Sequence, residues 1–220
     1  MHASKLISSS IISLHPDDNG ERALKLMDDL RVNHLPVVRN QSYLGSISEN
    51  EILEWDSTDE FIEQHLNNLA APYVVGDQHL FDIIKVLEEN SLSVVTVLSE
   101  EKKYMGAISN RKLLYTIAKS SAVQNIGGIF VLEMNQNNYS MSEIARVIES
   151  NDAKILSSNI TSTPDSTKME LTIKVNVTDI SSILKDFERF EYKIMASYHE
   201  SSSQEDFMQR YESLMRYLNP

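Results

Sequence analysis

The chain has 220 residues, 41% of them apolar, enough to furnish a core for two compact domains. Twenty Lys and Arg stand against 32 Asp and Glu, and a net charge of -12 repels the phosphate backbone that a nucleic-acid binder must neutralise. Cysteine is absent, which excludes disulfides, thiolate metal sites and a thiol nucleophile; with no apolar run of signal-peptide or membrane-spanning length, the expectation is a cytoplasmic protein without a membrane partner.

Along the chain, Ala23, Met27 and Leu30 share one helical face, and Leu35, Pro36, Val37 and Val38 then read as a strand. A polar turn leads to Tyr43-Leu44-Gly45-Ser46-Ile47-Ser48, and a second helix opens near Glu49. The same order returns with a helical face of Leu80, Ile83, Ile84 and Leu87, a strand Val94-Val95-Thr96-Val97, and Tyr104-Met105-Gly106-Ala107-Ile108-Ser109. A helix with Leu113, Leu114 and Ile117 closes the second copy. Paired Gly127-Gly128 then breaks the helical pattern and marks a domain boundary.

Beyond it, Ile129-Phe130-Val131-Leu132 is a buried-type strand, and Met141, Ile144, Ala145 and Ile148 form a helical face behind a capping box of Ser140 and Glu143. Strands are predicted over 153–160 and 169–177, joined by a turn at 163–166; in the latter, Met169, Leu171, Ile173, Val175 and Val177 alternate with polar residues. A helix with Ile180, Ile183, Leu184 and Phe187 follows, and a last strand with Tyr192, Ile194, Ala196 and Tyr198. Strand, helix, strand, strand, helix, strand is the ferredoxin-like order. Phe207, Tyr211, Leu214, Met215 and Leu218 finally place an apolar stripe on an amphipathic helix, which packs on its own chain or on a dimer mate. The fold class is α+β.

No catalytic constellation emerges. His2, His15, His34, His65, His79 and His199 include no metal-binding helical pair, and GxxxxGK, GxGxxG and GxSxG are all absent. Asp17-Asp18 and Glu100-Glu101 lie in polar turns that solvate them. The expectation is a non-enzyme with no metal and no resident cofactor.

The repeat, with its Leu35-Pro36-Val37-Val38 strand and its twofold aromatic–apolar–Gly pattern, resembles a tandem pair of CBS modules over 1–121, divided at about 60. That resemblance implies two modules paired through their sheets, with clefts for an adenosyl compound such as AMP, ADP, ATP or S-adenosylmethionine, and a regulatory role. The family's ligand motif runs Gly, apolar, any residue, Thr or Ser, two variable residues, Asp. Here it reads Gly45-Ser46-Ile47-Ser48-Glu49-Asn50-Glu51 and Gly106-Ala107-Ile108-Ser109-Asn110-Arg111-Lys112, so both copies keep the hydroxyl and lose the Asp. The resemblance implies ligand contacts at Ile12, Pro36, Val37, Ser48, Glu51, Ser109, Arg111 and Lys112. Glu51 keeps a carboxylate on a longer arm, Lys112 accepts no hydrogen bond, and Arg111 with Lys112 suits an anion such as a polyphosphate. Read from the residues alone, Ser48 with Glu51 is equally a capping box, Ser109 an N-cap, Lys112 a solvated helix residue and His34 a strand-entrance residue.

Residues 127–199 resemble the ACT domain, with Tyr139 where that family's ligand loop carries Gly, and 200–220 follow as the amphipathic helix. The combination resembles acetoin-utilisation-type regulatory proteins. It implies a homodimeric ligand sensor acting on an unknown protein partner; a ligand-free dimerisation scaffold and an amino-acid sensor working through the ACT-like loop are the alternatives.

Overall fold

Helix α1 (Gly20–Leu30) starts where the Asn19 side chain accepts the Arg22 N–H at 3.0 Å, and it ends at Arg31, whose left-handed φ of 56° turns its N–H back to the carbonyls of Met27 and Asp28. It buries Ala23 and Met27 against a hairpin of β1 (His34–Arg39) and β2 (Ser42–Ser48), after which α2 (Glu49–Leu53) begins. The computed structural model describes residues 1–120, 122–162 and 167–198 and divides into two compact units, Met1–Ile117 and Ala118–Pro220.

The first unit repeats itself. After β3 (Tyr73–Val75), helix α3 (Leu80–Glu89), strands β4 (Val94–Leu98) and β5 (Tyr104–Ser109) and helix α4 (Asn110–Ser120) follow the order of the first copy. β4 and β5 pair antiparallel with a bulge after Val97, as β1 and β2 do after Val37. The sequence pattern does not predict β3, because three residues are too few to show alternation; it pairs parallel to β4, and Leu14 makes the corresponding single bridge to Val37.

Each copy is completed by chain that precedes the other. Ala3 and Ser4 donate to the carbonyls of Gln78 and Gly76 at 3.0 and 2.9 Å, and Ser8 donates to Ala107 at 2.9 Å, so Ala3 and Leu6 enter the core of the second copy. In return Ser46 donates to Ala70 at 2.8 Å, and Leu66 and Leu69 pack on the core of the first. The covers lie on Gly45 and Gly106, at φ +150° and +149°, where an added Cβ would stand 2.6 Å from the Leu69 Cβ and 2.5 Å from the Ile7 Cγ2. Both the backbone angle and the lack of space require glycine.

The copies also meet through Tyr104, whose N–H donates to the Gln41 carbonyl at 2.9 Å. Tyr43 donates its hydroxyl to the Pro72 carbonyl at 3.0 Å, and burial raises its pKa. The Tyr104 phenol is pushed up to about 12, mainly by burial, with a hydrogen bond to Ser13 opposing the shift.

In the second unit, β6 (Ile129–Asn135), α5 (Met141–Glu149), β7 (Ile155–Ser162), β8 (Lys168–Val175), α6 (Ser181–Arg189) and β9 (Lys193–Tyr198) give one antiparallel sheet in the order β7-β8-β6-β9, the ferredoxin-like arrangement. Phe130, Leu132 and Met134 of β6 and Met169, Leu171, Ile173 and Val175 of β8 share one buried face with Ile144 and Ile148 of α5 and Ile183 and Phe187 of α6. β8 stops at Val175, short of the predicted 177, because Asn176 turns to accept the Lys154 N–H at 2.6 Å and Val177 to accept that of Gly128 at 2.7 Å. β7 starts two residues late and runs to Ser162. Only half of the predicted capping box forms: Ser140 accepts the Glu143 N–H at 3.4 Å, while the Glu143 carboxylate bonds Tyr192 instead. The turn at 163–166 and the amphipathic helix of 200–220 lie outside the described residues.

Gly127, at φ +157°, leaves 1.8 Å between an added Cβ and the Val175 carbonyl oxygen. Gly106→Ala and Gly127→Ala should each lower stability by about 2 kcal/mol or more, since strain at φ > 0 adds to a steric clash. Urea unfolding followed by circular dichroism measures both, and for Gly106→Ala the fluorescence of the sole tryptophan, Trp55, which packs on the first copy's core, reports the same unit. A wild-type midpoint for either variant would contradict this packing.

Candidate functional site

Ser48 ends β2 and caps α2. Its Oγ accepts the Glu51 N–H at 3.1 Å, while Glu51 Oε2 accepts both the N–H and the Oγ–H of Ser48, at 2.7 and 2.6 Å. The capping box is complete, and it employs one oxygen of the carboxylate twice. One turn away, the Asn33 carbonyl accepts the Glu49 N–H at 2.9 Å and its side-chain amide donates to Glu49 Oε2 at 2.7 Å.

The second copy joins through Ser93, which occupies the place of Asn33. Its Oγ accepts the Asn33 N–H at 2.9 Å, its N–H donates to His34 Nδ1 at 3.3 Å, and its carbonyl accepts the Asn110 N–H at 3.0 Å. Nδ1 as an acceptor places the ring proton of neutral His34 on Nε2. Burial lowers the His34 pKa, and the nearby Glu51 charge opposes that shift.

Around this junction lies a cleft of about 460 Å³, lined by Asn33, His34, Ser48, Glu49 and Asn50 from one copy and Asn90, Ser91, Leu92, Ser93 and Asn110 from the other. It holds convergent polar groups and one carboxylate, and no Lys or Arg lines it. Of the residues expected from the sequence, the structure brings only Ser48 to the lining, with Glu51 behind it. Ser109 is buried and caps α4 by accepting the Lys112 N–H at 3.3 Å. Arg111 is exposed and Lys112 half-buried on α4, outside the lining. Pro36 is buried, Val37 is sealed in the first core, and Ile12 is 53% exposed. Asn33, Ser93 and Asn110 were absent from the expectation. Their available signal was positional, since Asn33 and Ser93 stand just before the first apolar strand of each copy.

The second unit holds a larger cavity, about 650 Å³, at the β6–α5 end. Glu133, Asn135, Asn138, Glu143, Arg146, Glu191, Tyr192 and Lys193 line it with Met134, Val147 and Phe190. Hydrogen bonds from Lys193 and then Lys168, at 2.8 and 3.1 Å, hold the Glu133 carboxyl below its ordinary pKa. Burial, then the Glu143 carboxylate, raises that of Tyr192. Tyr139, at the position where glycine is the ACT expectation, packs against the core. Among the described residues no group of three or more His, Asp or Glu could hold a metal ion, and no helix is long and apolar enough to cross a membrane.

The depressed His34 pKa fixes a sign. The unfolded chain protonates this imidazole near the ordinary 6.5 while the folded chain resists, so its contribution is intact above that value and is lost as pH falls below it toward the folded pKa. Between about pH 7.5 and pH 5.5 the wild type should lose more stability than His34→Gln, read by urea unfolding at each pH. Equal losses would mean a solvated, unconstrained imidazole.

A protein described as a CBS domain pair/ACT domain protein, from Thermotoga maritima, superposes with a TM-score of 0.47 at 18% identity, over 54% of this chain and 98% of its own. CBSX2, solved in complex with AMP, gives 0.47 at 16% identity over 54% and 96%. The CBS domain of a bacterial CNNM/CorC family Mg2+ transporter, solved with ATP, gives 0.44 at 13% over 54% and 87%. An uncharacterized protein of Methanocaldococcus jannaschii is 21% identical over 111 residues, half of this chain and 42% of that relative, so the chain spans less than half its length. The family model that matches is the CBS domain, over residues 3–58, the stretch that carries β1, β2, Asn33, Ser48 and Glu51.

Proposed function

We propose that the first unit is a regulatory binding module that senses an adenosyl compound in the cleft between its two copies. The observation that carries this reading is the cleft's double ownership: Asn33 to Asn50 come from one copy, Asn90 to Asn110 from the other. A ligand touching both biases how the copies sit against each other, provided it binds one arrangement better than the alternative. The CBS family match over 3–58 supports the same reading. The candidates are AMP, ADP, ATP and S-adenosylmethionine, and the protein acts as a cytoplasmic homodimer that passes the change to a protein partner, without catalysis of its own.

Calorimetry of the full chain against these compounds and adenosine tests it. At least one should bind, and Asn110→Ala should weaken that binding about tenfold, because the Asn110 backbone, not its side chain, makes the structural bond to Ser93. No heat from any compound at millimolar concentration overturns the reading in favour of a ligand-free scaffold.

A second reading rests on the larger cavity. Arg146 and Lys193 stand with Glu143 and Glu191 around it, complementary to the carboxylate and ammonium of a free amino acid in an ACT-like domain. A panel of free amino acids should then raise the thermal midpoint in wild type and not in Arg146→Ala. No shift with any of them removes this reading.

A further inference from the structure

Within the reading of the cleft as the adenosyl site, on which this rests, we infer that the cleft selects an adenosyl compound without phosphate, uncharged or cationic. A phosphate group exchanges its water for the free N–H groups of a helix N-terminus or for cationic side chains; the Glu49 and Asn110 N–H groups that open α2 and α4 are already bonded to the Asn33 and Ser93 carbonyls, which leaves Arg and Lys. The cleft supplies neither, and the chain has no Lys or Arg anywhere between Arg39 and Lys85.

The groups that are present point the other way. Glu49 lines the cleft with its carboxylate, and Glu51 stands directly behind Ser48. The Asn33 amide turns one N–H to Glu49 Oε2 at 2.7 Å, so a phosphate oxygen meeting its other N–H would stand beside that carboxylate. The imidazole of His34 uses Nδ1 as an acceptor toward the Ser93 N–H, which suits a neutral ring and not an imidazolium. Arg111, the residue suited to a polyphosphate, is exposed on α4 and outside the lining. What remains is a polar, acidic cleft of amides, hydroxyls and carboxylate, fit for ribose hydroxyls, a purine edge and a sulfonium or ammonium group.

Calorimetry on the full chain, at one ionic strength, with adenosine, S-adenosylmethionine, AMP and ATP decides it. Adenosine or S-adenosylmethionine should bind at least tenfold more tightly than AMP and ATP. AMP or ATP binding as tightly as either overturns the selectivity and leaves the adenosyl reading standing, whereas silence from all four overturns both. The site is checked by adding the missing charge: His34→Arg should shift the AMP-to-adenosine affinity ratio at least tenfold toward AMP. Asn110→Lys does the same without disturbing the Ser93 bonds of His34, and an unchanged ratio in a folded Asn110→Lys protein overturns the assignment to this cleft.

Discussion

Neither copy in the first unit can close its own core. The covers on Gly45 and Gly106 come from chain belonging to the opposite copy, Leu69 on one and Ile7 on the other, and the backbone bonds of Ser46 to Ala70 and Ser8 to Ala107 fix them there. Removing one copy would expose the other's glycine face and leave a backbone group without its partner, the Ser46 N–H in the first copy or the Ala107 carbonyl in the second, so the two fold as a single unit despite their separate clusters of apolar side chains. The unusual backbone at the two glycines follows from this exchange, because a strand that lets another chain pass within van der Waals contact has no room for a Cβ.

The cleft is a consequence of that joint folding. Asn33 and Ser93 occupy equivalent places, and their carbonyls do the same work, accepting the first N–H of α2 and of α4; their side chains differ, since the Ser93 hydroxyl accepts the Asn33 N–H from the other copy while the Asn33 amide turns to Glu49. Because the bonds of Asn33 and His34 to Ser93 run between copies, a ligand bound there is coupled to their pairing, and a ligand that prefers one arrangement is equally preferred by it. The electrostatic character comes from the same residues. Glu49 lines the first wall with Glu51 behind Ser48, and the half-buried imidazole of His34 is the nearest substitute for a cation.

Much of the fold could be read from residue order. The repeat showed in the return of Tyr43-Leu44-Gly45 as Tyr104-Met105-Gly106, and the strict alternation from Met169 to Val175 is the pleat of β8 with one face buried. The compact units divide between Ile117 and Ala118, ahead of the paired glycines, and Gly127 has its own reason inside the second unit, its close approach to the Val175 carbonyl. The exchange of covers left no such mark, because Ile7 and Leu69 are ordinary apolar residues whose contacts are defined only by the tertiary fold. The same holds for the cleft. Ser48 and Glu51 were legible since a capping box is local, its partners three positions apart, whereas the bonds of Asn33 and His34 to Ser93 span about sixty positions and no periodicity encodes them.

Glu51 has a local task at the start of α2. α2 has five residues, too few to persist on its own hydrogen bonds, and Glu51 at its third position reaches back to the Ser48 N–H as Asp82 does to the His79 N–H at the start of α3. Glu51 holds the helix end through Oε2, and that oxygen is occupied before any ligand arrives. At the corresponding place in the second copy, Lys112 offers no return bond, and its charge opposes the helix dipole. α4 tolerates this because it has eleven residues and an N-cap in Ser109. Both walls of the cleft keep the same backbone bond, Glu49 to Asn33 in the first and Asn110 to Ser93 in the second, and they differ in their helix ends: the first is closed by a two-way capping box and the second by the Ser109 cap alone.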